Sequence, residues 1–381
     1  MSNIDTNTAG AVIAAETPAE AAPVLLGPWA LTWRKFRRHR VAWLSLWVIG
    51  FIYLLALFGD FFAPFDPEET NRRGIFVPPQ GIGMFVEGAG FQLHADRLKM
   101  QVDPATMRRS YAPVEGEVVP LGFFVRGYEY RLLGLVPWDR HLFGPVDPDE
   151  MVYFLGSDRL GRDTLSRIIA GTRISMSIGL VGVAASLVIG VALGGLSGFY
   201  GGWVDNVIQR LIEFLRSIPT IPLWMGLAAA IPLGWPPLRT YFVVTLIVSM
   251  IGWTSLAREV RGKFLSLRHE DFIIAARLDG LTDWEVIRQH MVPSFASHII
   301  ASLTLAVPLM ILAETSLSFL GIGLQPPIIS WGTLLKEAQN IRSLIEAPWL
   351  LIGPGATIVV AVLALNFLGD GLRDAADPNA H

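Results

Sequence analysis

Long apolar runs, separated by shorter polar stretches, dominate the hydropathy pattern of this chain. Each run is close to the roughly 20 residues that an α-helix needs to cross the hydrocarbon core of a bilayer. The pattern therefore predicts an all-α polytopic membrane protein with six transmembrane helices. The predicted spans cover residues 41–59, 174–196, 204–230, 241–257, 297–319 and 350–368.

The segment 60–154, between the first two predicted spans, is rich in proline, glycine, aromatic and charged residues. It contains no apolar run long enough to cross a membrane. Residues 118–133 have a β-type composition with a turn expected at Arg126–Gly127, so we predict a partly β insertion outside the cytoplasm. Three uses stay open: binding a partner, shaping an entrance, or covering the mouth of a pore as a structural lid.

An amphipathic helix is predicted over residues 157–171, directly before the second span. Apolar and charged positions interleave there, and Asp163 stands four residues before Arg167. On one helix face this spacing allows an ion pair. We expect the helix to lie along the outer membrane interface.

Basic residues indicate the orientation of the spans. The cluster WRKFRRHR at 33–40 precedes the first span, and four further basic residues follow the fourth. Cytoplasmic loops carry an excess of lysine and arginine, so both ends of the chain are expected in the cytoplasm. The predicted organisation is a disordered tail (1–28), the basic cluster and first span (29–59), a periplasmic insertion (60–154), a transmembrane core (155–372) and a C-terminal tail (373–381).

The composition agrees with a membrane protein and narrows the chemistry. Hydrophobic residues make up 52% of the chain, charged residues 17%, and cysteine is absent, which excludes disulfides and thiolate metal or redox sites. The sequence contains no phosphate-binding P-loop, no His-Glu-x-x-His zinc motif and no Gly-x-Ser-x-Gly elbow. We therefore expect no catalytic, cofactor-binding or metal site, and any ATP that the protein uses is hydrolysed by another chain.

The polar segment 271–293 lies between two apolar runs and has the features of two short helices that meet at a break. Gly280 is the residue type best suited to the left-handed conformation after a helix C-terminus. Thr282 and Glu285 have the spacing of a capping box. Pro293 is expected to end the second helix and to push Val292 away from helical angles. This much structure in a short connection favours a surface that another protein contacts, the alternative being an ordinary cytoplasmic loop.

Two further features are candidates for the transport pathway or for packing. Small residues recur every fourth position from 182 to 202, including Gly190, Gly194 and Gly198. Such a stripe lets another backbone approach closely, so packing inside the bundle is favoured over a pathway lining. Glu314 is an ionisable residue at membrane depth and therefore a functional candidate. It is expected near the outer end of its helix, facing either the insertion or the pathway.

Segment 271–293 resembles the EAA loop of bacterial ATP-binding-cassette (ABC) import permeases. The match rests on Ala275, Ala276, Gly280 and Pro293, whereas Ile274 stands where the pattern has glutamate. His290 is similar to the histidine of the oligopeptide/dipeptide branch. Further stretches resemble the same branch, and the insertion is longer than that branch leads us to expect. These stretches are 63–67, 155–175, 198–205, 314–327 and 366–378.

The resemblance implies a type I ABC importer permease in a bacterial inner membrane. The implied partners are a second homologous permease, two ATP-binding subunits and a periplasmic solute-binding protein. In that family the EAA loop docks on the ATPase, which assigns coupling to Ala275, Ala276, Asp279, Gly280, His290 and Pro293. Peptides are the implied substrates, with oligosaccharides or opines as alternatives from the same class. A stand-alone secondary transporter is the other reading, although no clear inverted repeats or intramembrane ion sites favour it.

Overall fold

The computed structural model describes residues 28–86, 90–102, 104, 109–232 and 234–376. The predicted disordered tail lies outside these residues except for residue 28, where the first helix begins. A helical bundle and one β-sheet make up the described fold. The helices are α1 Pro28–Arg38, α2 Arg40–Leu57, α3 Gly59–Phe62, α4 Thr164–Tyr200, α5 Gly202–Ser217, α6 Thr220–Ala229, α7 Pro237–Leu267, α8 Asp271–Leu278, α9 Asp283–Glu285, α10 Val292–Ser294, α11 Ala296–Phe319, α12 Trp331–Ala338, α13 Ile341–Glu346 and α14 Trp349–Ala376.

Five helices in the described part of the chain are long and apolar enough to cross a membrane. Four of them contain a whole predicted span, α2 covers the first predicted span except for residues 58 and 59, and several extend further than the apolar runs indicated. Helix α7, which contains the predicted fourth span, continues to Leu267, and α14, which contains the last predicted span, continues to Ala376. Both helices therefore extend beyond their apolar runs into polar residues. The C-terminal tail expected from residue 373 therefore starts as helix. The five are α2, α4, α7, α11 and α14.

The predicted third span, 204–230, is two helices and not one. Helix α5 ends at Ser217, Ile218 has extended backbone angles, and α6 starts at Thr220. Pro219 explains the break, because proline has no N–H for the helical ladder and disfavours helical angles in the residue before it. Helix α5 runs antiparallel to α7, because Asp205 binds Arg261 and Arg216 binds Ser255. Ile208 and Ile212 of α5 share an apolar cluster with Trp253 and Ala257 of α7.

The small residues of α4 lie against α7, the neighbour with which α4 packs most extensively. A Cβ atom built on Gly198 would lie 2.7 Å from the carbonyl oxygen of Arg261, and one on Gly190 would lie 3.0 Å from the Leu256 side chain. Gly194 faces the backbone of Ala257. Only glycine allows two helix backbones this close together.

Four antiparallel strands form a meander in the segment between α3 and α4. The strands are β1 Ile82–Val86, β2 Gly90–Val102, β3 Arg109–Leu132 and β4 Val136–Pro145, in the spatial order β1-β2-β3-β4. A small apolar core with Phe65 and Leu121 joins the sheet to the end of the first span. The turn expected at Arg126–Gly127 is wrong, because β3 continues through it with a bulge and turns at Leu133–Gly134.

The amphipathic helix predicted over 157–171 is also wrong in its first half. Residues 157–162 form a loop, and α4 starts at Thr164, with Asp163 as the N-cap whose carboxylate accepts from the Ser166 amide at 2.7 Å. Arg167 therefore pairs with other carboxylates, at 2.6 Å from both Asp158 and Glu337. Buried charges persist when they are paired in this way. This ion cluster ties the loop and α4 to α12.

Candidate functional site

The polar segment 271–293 folds largely as its local signals predict. Helix α8 ends in a Schellman motif: the Leu281 amide donates to the Ala276 carbonyl and the Gly280 amide donates to the Arg277 carbonyl. Gly280 has φ +84°. The capping box is present, since the Thr282 amide donates to the Glu285 carboxylate at 2.8 Å and Thr282 Oγ1 accepts from the Glu285 amide. The hydrogen bond from the Thr282 amide holds the pKa of Glu285 below its ordinary value.

Pro293 does not end the second helix, which corrects the expectation. Residues Val286–Met291 form a π-helical turn, and Val292 keeps helical angles (φ −61°, ψ −46°). In an α-helix the proline ring clashes with the carbonyl four residues back, whereas the wider π-turn before Pro293 relieves that crowding. The chain breaks at Phe295 instead, where φ is −128°.

One side of the segment belongs to the protein core. Ile273, Val286 and Met291 are fully buried and pack in one apolar cluster with Phe264 of α7 and Ile299 of α11. Phe199 at the end of α4 joins the same cluster, and the Arg277 guanidinium lies 4.7 Å from its ring centroid. Segment 271–293 and the adjacent ends of α4, α7 and α11 therefore form one packed unit.

The other side of the segment presents apolar side chains to the surface. Leu278 is 83% exposed and Trp284 is 66% exposed, and Phe272 and Ile274 of α8 are exposed as well. Large apolar side chains grouped at a surface are typical of interaction sites. We call these four residues the apolar face of the loop.

The residues assigned to coupling by resemblance divide between the two sides. Ala275, Asp279, Gly280 and Pro293 are exposed, and His290 is half-buried. Ala276 is only 4% exposed and packs in the core cluster, so its expected position at the contact is corrected. Its small side chain serves the packing of α8 onto the bundle.

A cavity of about 710 Å³ opens on the bundle between α6, α7 and α11. Its walls are mostly apolar, with Trp224, Leu309 and Met310 among them, and Ser186 of α4 reaches it. Four polar side chains gather at the end nearest the loop. Ser302 Oγ donates to Glu259 at 2.7 Å, His298 Nε2 lies 3.9 Å from the same carboxylate, and Arg373 lines the cavity.

The residues that were candidates for the pathway or for packing do not lie at the cavity. Glu314 is fully buried, and its Oε1 accepts from Ser318 Oγ at 2.7 Å and from Ser330 Oγ at 2.8 Å. It does not line the cavity; it connects α11 to the chain before α12. Gly190, Gly194 and Gly198 contact α7 and do not line the cavity either.

Sequence reasoning missed the polar end of the cavity. Glu259 lies beyond the predicted fourth span, which ends at Ala257, and no sequence motif marks it. His298 and Ser302 lie one helical turn apart on α11, the other helix that flanks the loop. Their approach to Glu259 is a tertiary contact, which the sequence does not show. Trp284 could have been found, because an aromatic residue in a polar helix is a surface signal.

Two protein families match parts of the chain. Residues 186–381 match the family described as binding-protein-dependent transport system inner membrane component, and residues 27–79 match the N-terminal transmembrane domain of oligopeptide transport permease C. The first match covers about half of the chain, including segment 271–293 and every residue that lines the cavity. The whole β-sheet falls between the two matches.

Individual relatives agree with these families. The glutathione transport system permease protein of Pectobacterium atrosepticum is 39% identical over 248 residues, which are 64% of this chain and 80% of that protein. The dipeptide transport system permease protein of Lactococcus lactis is 28% identical over 354 residues, which are 91% of this chain and 90% of that protein. The solved inward-facing MetNI methionine ABC transporter aligns with 55% of this chain and 96% of its own at 17% identity, with a TM-score of 0.42. Because the first family match, over residues 186–381, covers slightly more than half of the chain, the chain belongs to the family of binding-protein-dependent transport system inner membrane components, the permeases of ABC importers.

Proposed function

We propose that this chain is one permease subunit of an ABC importer for peptides and forms half of the transmembrane pathway. A second homologous permease supplies the other half, two ATP-binding subunits hydrolyse ATP, and a periplasmic solute-binding protein delivers the substrate. One observation carries the proposal: the apolar face at Leu278 and Trp284 stands on a loop whose buried side shares a core with the helices that line the cavity.

The coupling follows from this packing. Close-packed interiors transmit displacement because they have few voids in which to absorb it. A partner that pushes on the apolar face displaces segment 271–293 together with the adjacent ends of α7 and α11. Both helices line the cavity, so their movement changes access to it from the loop end. ATP is used by the partner subunits, and this chain supplies the lever.

The broken pair α5–α6 supports a sixth crossing. It runs antiparallel to α7 from Asp205, near Arg261, to Trp224, beside Val248 in the cavity. Together the two helices comprise 26 residues, more than the roughly 20 that a helical crossing needs. With six crossings both termini and segment 271–293 lie on one side of the membrane. The basic cluster at 33–40 supports the cytoplasm of a bacterial cell as that side, with the sheet in the periplasm.

Peptides fit both the relatives and the cavity. The relatives are named for glutathione, dipeptides and oligopeptides, which share an amide backbone and termini of opposite charge. The cavity combines mostly apolar walls with a carboxylate at Glu259 and a guanidinium at Arg373. Apolar walls with a few placed polar groups are typical of pockets that accept varied ligands.

The proposal is tested by placing a charge on the apolar face. We expect Leu278→Asp and Trp284→Asp to lose co-purification with the ATP-binding subunits and ATP-driven peptide uptake in proteoliposomes. The matched control is Ile341→Asp on α13, which is 74% exposed and lies at the end of the bundle that carries the sheet. Unchanged assembly and uptake in both loop variants, or equal loss in the control, would contradict the proposal.

A further inference from the structure

The tip of the β3–β4 hairpin is an exposed apolar projection that the transport role does not explain. We define the hairpin tip as residues 131–138. Leu133, Leu135, Val136 and Trp138 are all exposed there, Leu135 to 81%. The strands on either side are paired in register, with Leu132 opposite Val136 and Tyr130 opposite Trp138.

Contacts between β4 and the end of the first span show where the tip is directed. At its C-terminal end, Gly144 lies against Pro64. Three residues closer to the tip, His141 Nδ1 lies 2.9 Å from the Asp60 carbonyl oxygen. From Gly144 to the tip, β4 therefore lies alongside the chain that leads from Pro64 back to the end of α2 at Leu57.

Two hydrogen bonds with α4 show the same direction independently. The Phe65 amide donates to Ser166 Oγ at 3.1 Å, whereas Arg173 Nε donates to the Ala56 carbonyl at 3.1 Å. Seven residues of α-helix separate these two contacts, which is roughly 10 Å along the axis. From Phe65 back to Ala56, the chain therefore runs along α4 into the bundle. Followed toward the hairpin tip, β4 points in the same direction.

The tip lies beyond the level at which the first span ends. Tyr128 and His141 are at the level of Asp60. Five more residues separate Tyr128 from Leu133, which is up to roughly 17 Å at strand spacing. Helix α2 is apolar up to Phe58, so the tip reaches the level of its outer turns.

The lateral position of the tip is beside the lipid-facing helix and away from the cavity. The hairpin stands on α3, directly after α2, where Phe124 packs 6.1 Å from Phe61. Only 22% of α2 is buried inside the protein, and Phe51, Leu54 and Leu57 on its outer face are exposed. The cavity is lined by other helices.

We propose that the hairpin tip inserts into the outer interfacial layer of the bilayer beside α2. Leu133, Leu135 and Val136 contact the acyl chains, while Trp138 lies at the headgroup level. Arg131 and Arg140 flank the apolar residues. Arg140 Nη1 donates to the Phe124 carbonyl at 3.0 Å, so Arg131 is the residue placed to bind lipid phosphate. Tryptophan is enriched at membrane interfaces, and arginine side chains reach from apolar surroundings to charged headgroups. Part of the insertion is thereby a second membrane anchor that continues the lipid-facing surface of α2.

The chain has no cysteine, so single spin labels can test the depth of the tip directly. Leu135→Cys is labelled in the full-length chain, within the assembled complex, in nanodiscs of phosphatidylcholine and phosphatidylglycerol. Collisions with oxygen, which partitions into lipid, are compared with collisions with a water-soluble nickel chelate. The matched control is Met100→Cys, an apolar residue 40% exposed at the far end of the same sheet, paired with Tyr111.

We expect the oxygen-to-nickel collision ratio to be several-fold higher at position 135 than at position 100. Equal ratios at the two positions would place the tip in water and overturn the proposal. A label at 135 shielded from both reagents would show that protein covers the tip, which also overturns it. The inference needs only that α2 crosses the membrane, so ATP-driven uptake measured on the same nanodisc preparation after transfer to liposomes tests the transport role separately.

Discussion

The turn at Gly280 offers a test in which backbone conformation is separated from side-chain contact. Gly280 has φ +84°, and a Cβ atom built there meets nothing within 4 Å. A side chain therefore finds room within this chain, and the effect of Gly280→Val comes from the backbone. A left-handed conformation costs an ordinary L-residue about 1–2 kcal/mol, and a β-branched residue is at the unfavourable end.

The cost falls on the Schellman motif that ends α8. Losing about 1–2 kcal/mol there raises the population of open loop conformations by a factor of roughly 5–30. An open loop no longer holds Leu278 and Trp284 in one rigid surface. We therefore expect Gly280→Val to lower ATP-driven peptide uptake and the binding-protein stimulation of ATPase activity. Gly280→Asn is the matched control, because asparagine tolerates left-handed angles at helix ends.

The assay is peptide uptake by the complete transporter in proteoliposomes, with ATPase activity and subunit stoichiometry measured on the same preparations. Near-normal coupling in Gly280→Asn and weakened coupling in Gly280→Val support the reasoning. If both variants fail equally, side-chain bulk at the partner surface is the cause and the backbone argument is refuted. A Gly280→Val variant that behaves as the unmodified protein refutes it as well.

Two further predictions concern the bundle. Gly198→Ala puts a methyl group against the Arg261 carbonyl, and this overpacking should lower the free energy of unfolding by about 1–3 kcal/mol. We therefore expect a lowered thermal midpoint in detergent. The control is Gly226→Ala, where a Cβ atom meets nothing within 4 Å, and its midpoint should change little. Burial raises the pKa of Asp163 from 3.8 to about 6, so the folded state loses stability as pH rises between these values. Asp163→Asn keeps an N-cap oxygen without that charge, and its thermal midpoint should exceed that of the unmodified protein at pH 8 by more than at pH 4.5; an equal difference at both would contradict the assignment.

Local signals were the ones that could be predicted from the sequence. The Gly280 turn and the Thr282–Glu285 capping box involve residues five positions apart or fewer, so their chemistry is visible in the chain itself. The long apolar spans were equally visible because a bilayer requires a continuous run. Composition also indicated strands in the insertion, although not where they turn.

The predictions that were wrong concern places where the structure depends on contacts between residues distant in the sequence or on an unusual backbone conformation. Arg167 pairs with Glu337, 170 residues away, and no local pattern could compete with that contact. The hairpin turns at Leu133, which has φ +53° although leucine has no preference for that region. Pro293 stays in a helix because of the π-turn before it, and hydropathy alone could not reveal the break at Pro219.

A cross-link from the apolar face to an ATP-binding subunit tests most directly whether segment 271–293 contacts the subunits that hydrolyse ATP. A photoreactive amino acid replaces Trp284 in the complete transporter, and Ile341 is replaced in the control. We expect an adduct with an ATP-binding subunit from position 284, with a yield that changes on ATP binding, and none from position 341. An assembled, transporting complex that gives no such adduct from position 284 would contradict the claim that this loop couples ATP hydrolysis to the membrane helices.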